Sequence, residues 1–139
     1  MRKLACELCE QDGGEVVYRN ALLRVVMVND TDYPGFSRVI LNAHIKEMTD
    51  LPHAQRNELM AAVFAVEDAV REVMHPDKIN LASLGNVVPH LHWHVIPRHT
   101  GDRHFPRPIW ADPMRQGSAS QTENWRTQLR AAIHSRLNA

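Results

Sequence analysis

The sequence predicts an α+β fold: an antiparallel five-stranded sheet with one long helix packed on it and a second helix at the C-terminus. Three observations carry this expectation. Short Val- and Leu-rich runs are joined by hairpin-length turns. One long stretch has apolar residues at intervals of three and four. Residues 90–96 alternate strictly between histidine or isoleucine and large apolar side chains. The resulting order β-β-β-α-β-β-α, with hairpin-length connections, favours an antiparallel sheet with helices packed on it.

In chain order, residues 15–18 and 22–28 are split by Arg19-Asn20-Ala21 and read as a hairpin. Asn29 to Gly35 is dense in turn formers, and residues 36–41 form a third strand. Thr49-Asp50-Leu51-Pro52 reads as a helix start, a capping side chain followed by proline in the first turn. Leu59, Val63, Val66 and Val70 then make an apolar stripe, with Met60 and Phe64 assigned to the same core, until His75-Pro76 ends the helix. Residues 78–84 and 91–96 are the fourth and fifth strands, separated by the turn Gly85-Asn86. Pro106, Pro108 and Pro113 make the following segment irregular. Ser120-Gln121-Thr122-Glu123 has the pattern of a capping box before a last helix through Trp125, Leu129, Ile133 and Leu137.

Composition narrows the functional classes. The 139 residues suit a single domain over 1–139, and sixteen basic residues balance sixteen acidic ones. That balance argues against a coat for nucleic acid polymers or an anionic membrane, which demand surplus Lys and Arg, but not against a small phosphate-bearing ligand. No apolar stretch has the length of a signal peptide or a membrane span, so a cytoplasmic location is expected. In that setting Cys6 and Cys9, three apart, read as a metal or redox pair rather than a disulfide.

The unusual feature is histidine. There are nine, and five lie between His90 and His104. On a strand, His90, His92 and His94 share one face while Leu91, Trp93 and Val95 share the other, which is free to pack on the long helix. An ordinary exposed or core strand explains one such histidine, not three in a row. Two active readings remain. Three imidazoles can chelate an open catalytic zinc. Alternatively, one histidine can attack phosphorus and carry a covalent nucleotidyl group while a neighbour assists the leaving group.

His90-Leu91-His92-Trp93-His94-Val95-Ile96, followed by Pro97-Arg98, resembles the signature of the histidine-triad (HIT) family. Pro34-Gly35, His44, Asp50-Leu51 and Asn80 ahead of Gly85 sit where that family has counterparts. The resemblance covers a core of about residues 6–98, leaving 99–139 as an extension. Phe105-Pro106-Arg107-Pro108-Ile109-Trp110 resembles the tail of a bacterial subgroup described as diadenosine-polyphosphate-hydrolase-like.

The resemblance implies a HIT-type hydrolase or nucleotidyl transferase that cleaves dinucleoside polyphosphates at the α-phosphate. His92 is then the nucleophile and His94 the phosphate-binding assistant, with no catalytic metal. Nucleoside phosphoramidates are the second substrate class, and a homodimer is implied. Gly85 and Asn86 would offer backbone amides to the phosphate, Asn80 would line the substrate site, and Asp30, with Asn29 as the alternative, would contact ribose. The chain departs from the family in having Asn86 where Gln is usual and Val87 where a hydroxyl residue is common. A zinc-dependent hydrolase using the three histidines, and a nucleotide-binding regulatory protein with little turnover, are the competing functions.

Some bacterial members resemble this chain in a further way, pairing two such cysteines with the histidine after the third strand and the first triad histidine. Cys6, Cys9, His44 and His90 are therefore candidates for a closed structural zinc site. With zinc bound, His90 is a ligand; without it, His90 orients His92. His53, His75 and His134 read as surface residues, and so do His99 and His104, although these two flank the expected site. Trp110 either caps a nucleotide or packs on the domain.

Overall fold

The computed structural model describes residues 5–118 and 121–138. A one-turn helix α1 (Glu7–Glu10) precedes β1 (Glu15–Arg19), β2 (Leu23–Met27) and β3 (Ser37–Leu41). A 3-10 turn (Met48–Asp50) leads into α2 (His53–Met74), followed by β4 (Lys78–Ala82), β5 (His92–Arg98) and α3 (Trp125–Leu137). The five strands form one antiparallel sheet, as the sequence predicts, in the order β1-β2-β3-β5-β4.

The apolar stripe of α2, namely Leu59, Ala62, Val63, Val66, Ala69, Val70 and Met74, lies against Val25, Val39, Leu41, Leu91 and Val95 of the sheet. Leu129 and Ile133 of α3 close the same layer. Each such fully buried aliphatic side chain contributes roughly 1.5–3 kcal/mol of transfer free energy, so this layer fixes which sheet face is left for chemistry. The turn before β3 depends on Gly35, whose φ is +89° and where a Cβ would meet the Met74 side chain at 2.7 Å.

Several local expectations need correction. Phe64 is 54% exposed, because it sits one residue past Val63 and faces away from the sheet. Pro52 is the N-cap of α2 and, having no polar side-chain atom, makes no capping bond, while Thr49 and Asp50 lie in the preceding 3-10 turn. At α3 the expected capping box lies too early: the helix begins at Trp125 behind Asn124, while Ser120 falls outside the described residues. β5 runs on through Pro97 to Arg98. Its pairing with β3 ends at Ser37↔Val95 and Arg98 already bonds toward β4, so the missing Pro97 N–H faces a flank with no partner strand.

The sheet face opposite α2 is covered in part by α1. Arg24, only 5% exposed, holds that helix by donating to the carbonyls of Leu8 at 2.7 Å, Gln11 at 3.1 Å and Asp12 at 2.9 Å. A guanidinium satisfies the carbonyls that end a helix and complements its negative end. Cys6, Leu8, Val26 and Ile40 complete this small second layer.

Candidate functional site

β5 places His92 and His94 on the face away from α2, beside Arg38 of β3, while Trp93 and Val95 enter the core. The two rings stand nearly perpendicular with centroids 4.9 Å apart. His92 Nδ1 lies 2.6 Å from the His90 carbonyl oxygen, which accepts only, so Nδ1 carries the hydrogen and Nε2 keeps its lone pair. His94 Nδ1 accepts from Arg38 Nε at 3.4 Å, leaving its hydrogen on Nε2. Burial, then the neighbouring His92 and Arg38, push His94 down to about 3. Burial also lowers His92, against the opposing bond to the His90 carbonyl. Both imidazoles are neutral at pH 7, as a nitrogen nucleophile requires.

His90 belongs to a different constellation. Its Nε2 donates to the Leu41 carbonyl at 2.6 Å, so the Nδ1 lone pair points to Cys6 Sγ at 3.5 Å and Cys9 Sγ at 3.4 Å. His44 Nδ1 lies 3.4 Å from Cys9 Sγ. The four donor atoms fall within 4.8 Å of one another. A zinc tetrahedron with Zn–S of about 2.3 Å and Zn–N of about 2.0 Å has ligand-to-ligand edges of roughly 3.5 Å, so two thiols and two imidazoles at these separations fit it. The carbonyl behind His90 is the outer partner that a ligating histidine needs. The triad is thus divided: one histidine faces the cysteines, and two face each other.

The predicted substrate residues are placed unevenly. Asn80 of β4 is paired with Ile96 on the histidine face, and its Oδ1 accepts from Arg98 Nη1 at 2.8 Å. Gly85 has a φ of +69°, and Asn86 is exposed at the same bend before β5. Asn29 and Asp30 open the loop after β2. There Asn29 Oδ1 accepts from Arg126 at 3.4 Å, and Asp30 Oδ1 accepts from the Asp32 N–H at 2.9 Å. No hydrogen bond among the described residues joins either of them to His92 or His94.

Two features, Arg38 and Asp102, escape a sequence reading, and the structure places Trp110, for which the sequence leaves two roles open, against His94. Arg38 looks like any polar residue on a strand, yet it touches His94. Trp110, 51% exposed, brings its ring edge-on to His94 with centroids 5.0 Å apart. The irregular segment after β5 is organised by Asp102, which is 2% exposed. Its carboxylate accepts from Arg98 at 2.8 and 3.0 Å and from the N–H groups of His99, His104 and Phe105 at 3.0, 3.0 and 2.7 Å. Burial opposes ionisation there, but Arg98 and the three N–H groups hold the carboxyl well below the usual carboxylate range. Tyr33, donating to Asp102 at 3.3 Å, is pushed up to about 12 by burial and that neighbouring charge. His104, expected at the surface, instead bonds the Tyr33 hydroxyl at 2.6 Å.

Against known proteins, a family model described as "HIT domain" matches residues 10–101. An AP-4-A phosphorylase of Mycobacterium tuberculosis is 31% identical over 98 residues, 66% of this chain and 50% of that protein. A bis(5'-nucleosyl)-tetraphosphatase (asymmetrical) of Schizosaccharomyces pombe is 27% identical over 95 residues, 65% of this chain and 52% of that protein. The chain spans about half the length of the curated relatives it matches. A histidine triad protein from Bradyrhizobium japonicum superposes with a TM-score of 0.75 at 30% identity, covering 98% of each chain.

Proposed function

The chain belongs to the HIT domain family, and from that premise we propose that it is a nucleotide hydrolase cleaving dinucleoside polyphosphates at the α-phosphate through a nucleotidyl-His92 intermediate. The observation that carries this reading is the His92 Nδ1 bond to the His90 carbonyl, which leaves Nε2 as the only nitrogen able to attack. As the Nε2–P bond forms, the P–O bond to the departing nucleotide breaks. The imidazole becomes cationic, and the His90 carbonyl stabilises that charge through Nδ1–H. His94 donates its Nε2–H as a hydrogen bond to the departing phosphate oxygen, which leaves as an anion; water then cleaves the P–N bond, its released proton passing to solvent and His92 returning to the neutral form. Backbone amides at Gly85 and Asn86 would complement the equatorial oxygens. The names of the two curated relatives support the substrate class.

Phosphoramidates are the second substrate class, because the same attack serves a P–N bond, whose nitrogen, protonated from solvent, departs as a neutral amine. A catalytic zinc on all three histidines is disfavoured by the turn of His90 toward the cysteines. Zinc on Cys6, Cys9, His44 and His90 would be structural, tying α1 to the entrance of β5. A homodimer is supported by the open β4 edge, where Leu81 is 37% exposed, and by the exposed Phe64 on α2. No helix among the described residues is long and apolar enough to cross a membrane. A cytoplasmic protein taking a small nucleotide as its partner is the reading consistent with these features.

The test is release of adenosine monophosphate from diadenosine tetraphosphate by the native protein and His92→Ala, each with and without a chelator. Turnover that survives chelation and vanishes in the variant is expected. Tight nucleotide binding without turnover would instead make the chain a binding protein.

A further inference from the structure

Arg38 stands out among the basic residues of the described chain. It projects from β3 on the rung paired with His94, not on that of His92, which pairs with Ile40. Its Nε donates to His94 Nδ1 at 3.4 Å, and its Nη1 donates to the Gly13 carbonyl at 3.0 Å, so the guanidinium is held from two sides. The outer Nη2 has no hydrogen-bond partner among the described residues. No described carboxylate forms an ion pair with it; Glu7 acts on it only at longer range. The guanidinium is partly withdrawn from water. A half-buried arginine without a counter-ion, fixed by neutral acceptors beside a neutral imidazole, is a site prepared for an anion.

We propose that Arg38 binds the phosphates of the leaving group, making the site selective for substrates with a polyphosphate chain over those with a single phosphate. The inference rests on the reading of His92 as nucleophile. With the α-phosphorus at His92, the rung of His94 and Arg38 lies on the departing side, where a dinucleoside polyphosphate gathers negative charge as its P–O bond breaks. His94 is neutral and supplies no charge there, whereas Arg38, bonded to it, brings a cation to that departing anion. A phosphoramidate, whose leaving group is an uncharged amine, presents nothing for it to hold. Arg38 is thus a specificity residue, whereas the attack itself belongs to His92.

The experiment compares kcat/KM for diadenosine tetraphosphate and for adenosine 5'-phosphoramidate in the native protein, Arg38→Met and Arg38→Lys. Arg38→Met is expected to lose roughly 100-fold on the tetraphosphate and less than about 3-fold on the phosphoramidate. Arg38→Lys should recover part of the first loss, since it keeps charge but not the fork. Equal losses on both substrates, or no loss on either, overturn the proposal. Thermal unfolding of both variants within a few degrees of native excludes a merely structural role. Absence of native turnover on both substrates would sink the hydrolase reading. The role of Arg38 is then decided by binding: native protein should prefer ADP to AMP by about 10-fold and Arg38→Met should not, and an unchanged preference overturns it.

Discussion

His92 and His90 are joined by a bond of 2.6 Å from Nδ1 to the backbone carbonyl, two residues apart on consecutive positions of one face. A strand normally commits its carbonyls to the ladder. Here β5 begins only at His92, so the His90 carbonyl is free to accept from a side chain. The place where the strand starts therefore selects the imidazole tautomer.

That selection predicts the linkage of the intermediate. A nucleotidyl-enzyme trapped by acid quench and digested to peptides should carry phosphorus on Nε2 of His92, read from phosphorus–nitrogen coupling in 15N-labelled protein. Phosphorus on Nδ1, or on His94, would contradict the mechanism.

Asp102 makes a second prediction, about stability. Breaking a buried, hydrogen-bonded ion pair from one side typically costs about 3–5 kcal/mol. Asp102→Asn should therefore lower the thermal midpoint at pH 7 by more than about 10 °C. The carboxyl has a lower pKa folded than unfolded, so its stabilisation is complete above the ordinary carboxylate value of about 4 and is lost as pH falls below it. Melting from pH 6 down to pH 2 should show the native advantage over the variant shrinking below about pH 4. An advantage independent of pH would mean the carboxylate is not the stabilising species.

Residue spacing makes much of this legible, and side-chain placements that no sequence period encodes account for the rest. The alternation through 90–96 announces both the strand and its two faces, because a period of two has one structural meaning. The apolar stripe from Leu59 to Val70 likewise identifies the long helix. By contrast, the partners of Asp102 come from Tyr33, from Arg98 and from three backbone N–H groups, and no local pattern marks a carboxylate that folds its own surroundings. Arg38 was invisible for a related reason: its meaning lies in the cross-strand neighbour His94. Helix α1 is one turn long, too short for any periodicity, although the spacing of Cys6 at its N-cap and Cys9 within it is a signal of its own.

The thiol–imidazole cluster predicts a separable metal effect. The native protein should carry about one zinc per chain, and Cys6→Ser or Cys9→Ser should reduce this to near zero. Metal loss should lower the melting midpoint while leaving kcat on diadenosine tetraphosphate within about 3-fold at temperatures where the variants stay folded, because His92 and His94 lie outside the cluster. Elemental analysis, melting and turnover on the same samples decide it. A kcat that falls in proportion to zinc content would show the metal to be catalytic.

Trp110 carries the last prediction. Its ring meets His94 edge-on at 5.0 Å while half of its surface remains exposed. The segment that presents it is anchored by Arg98 donating to the Arg107 carbonyl at 2.7 Å and by the Asp102 cluster. An aromatic face fixed beside a phosphate site and open to solvent suits a nucleobase, and such stacking is worth about 1–3 kcal/mol. Trp110→Ala should raise KM for diadenosine tetraphosphate by roughly 5- to 100-fold and change kcat far less, since attack by His92 does not involve the indole. Binding of a non-hydrolysable dinucleotide should quench native tryptophan fluorescence, and the quench should disappear in Trp110→Phe even though Trp93 and Trp125 remain. A loss confined to kcat, with the quench retained in Trp110→Phe, would place the indole in packing around His94 and remove it from nucleotide recognition.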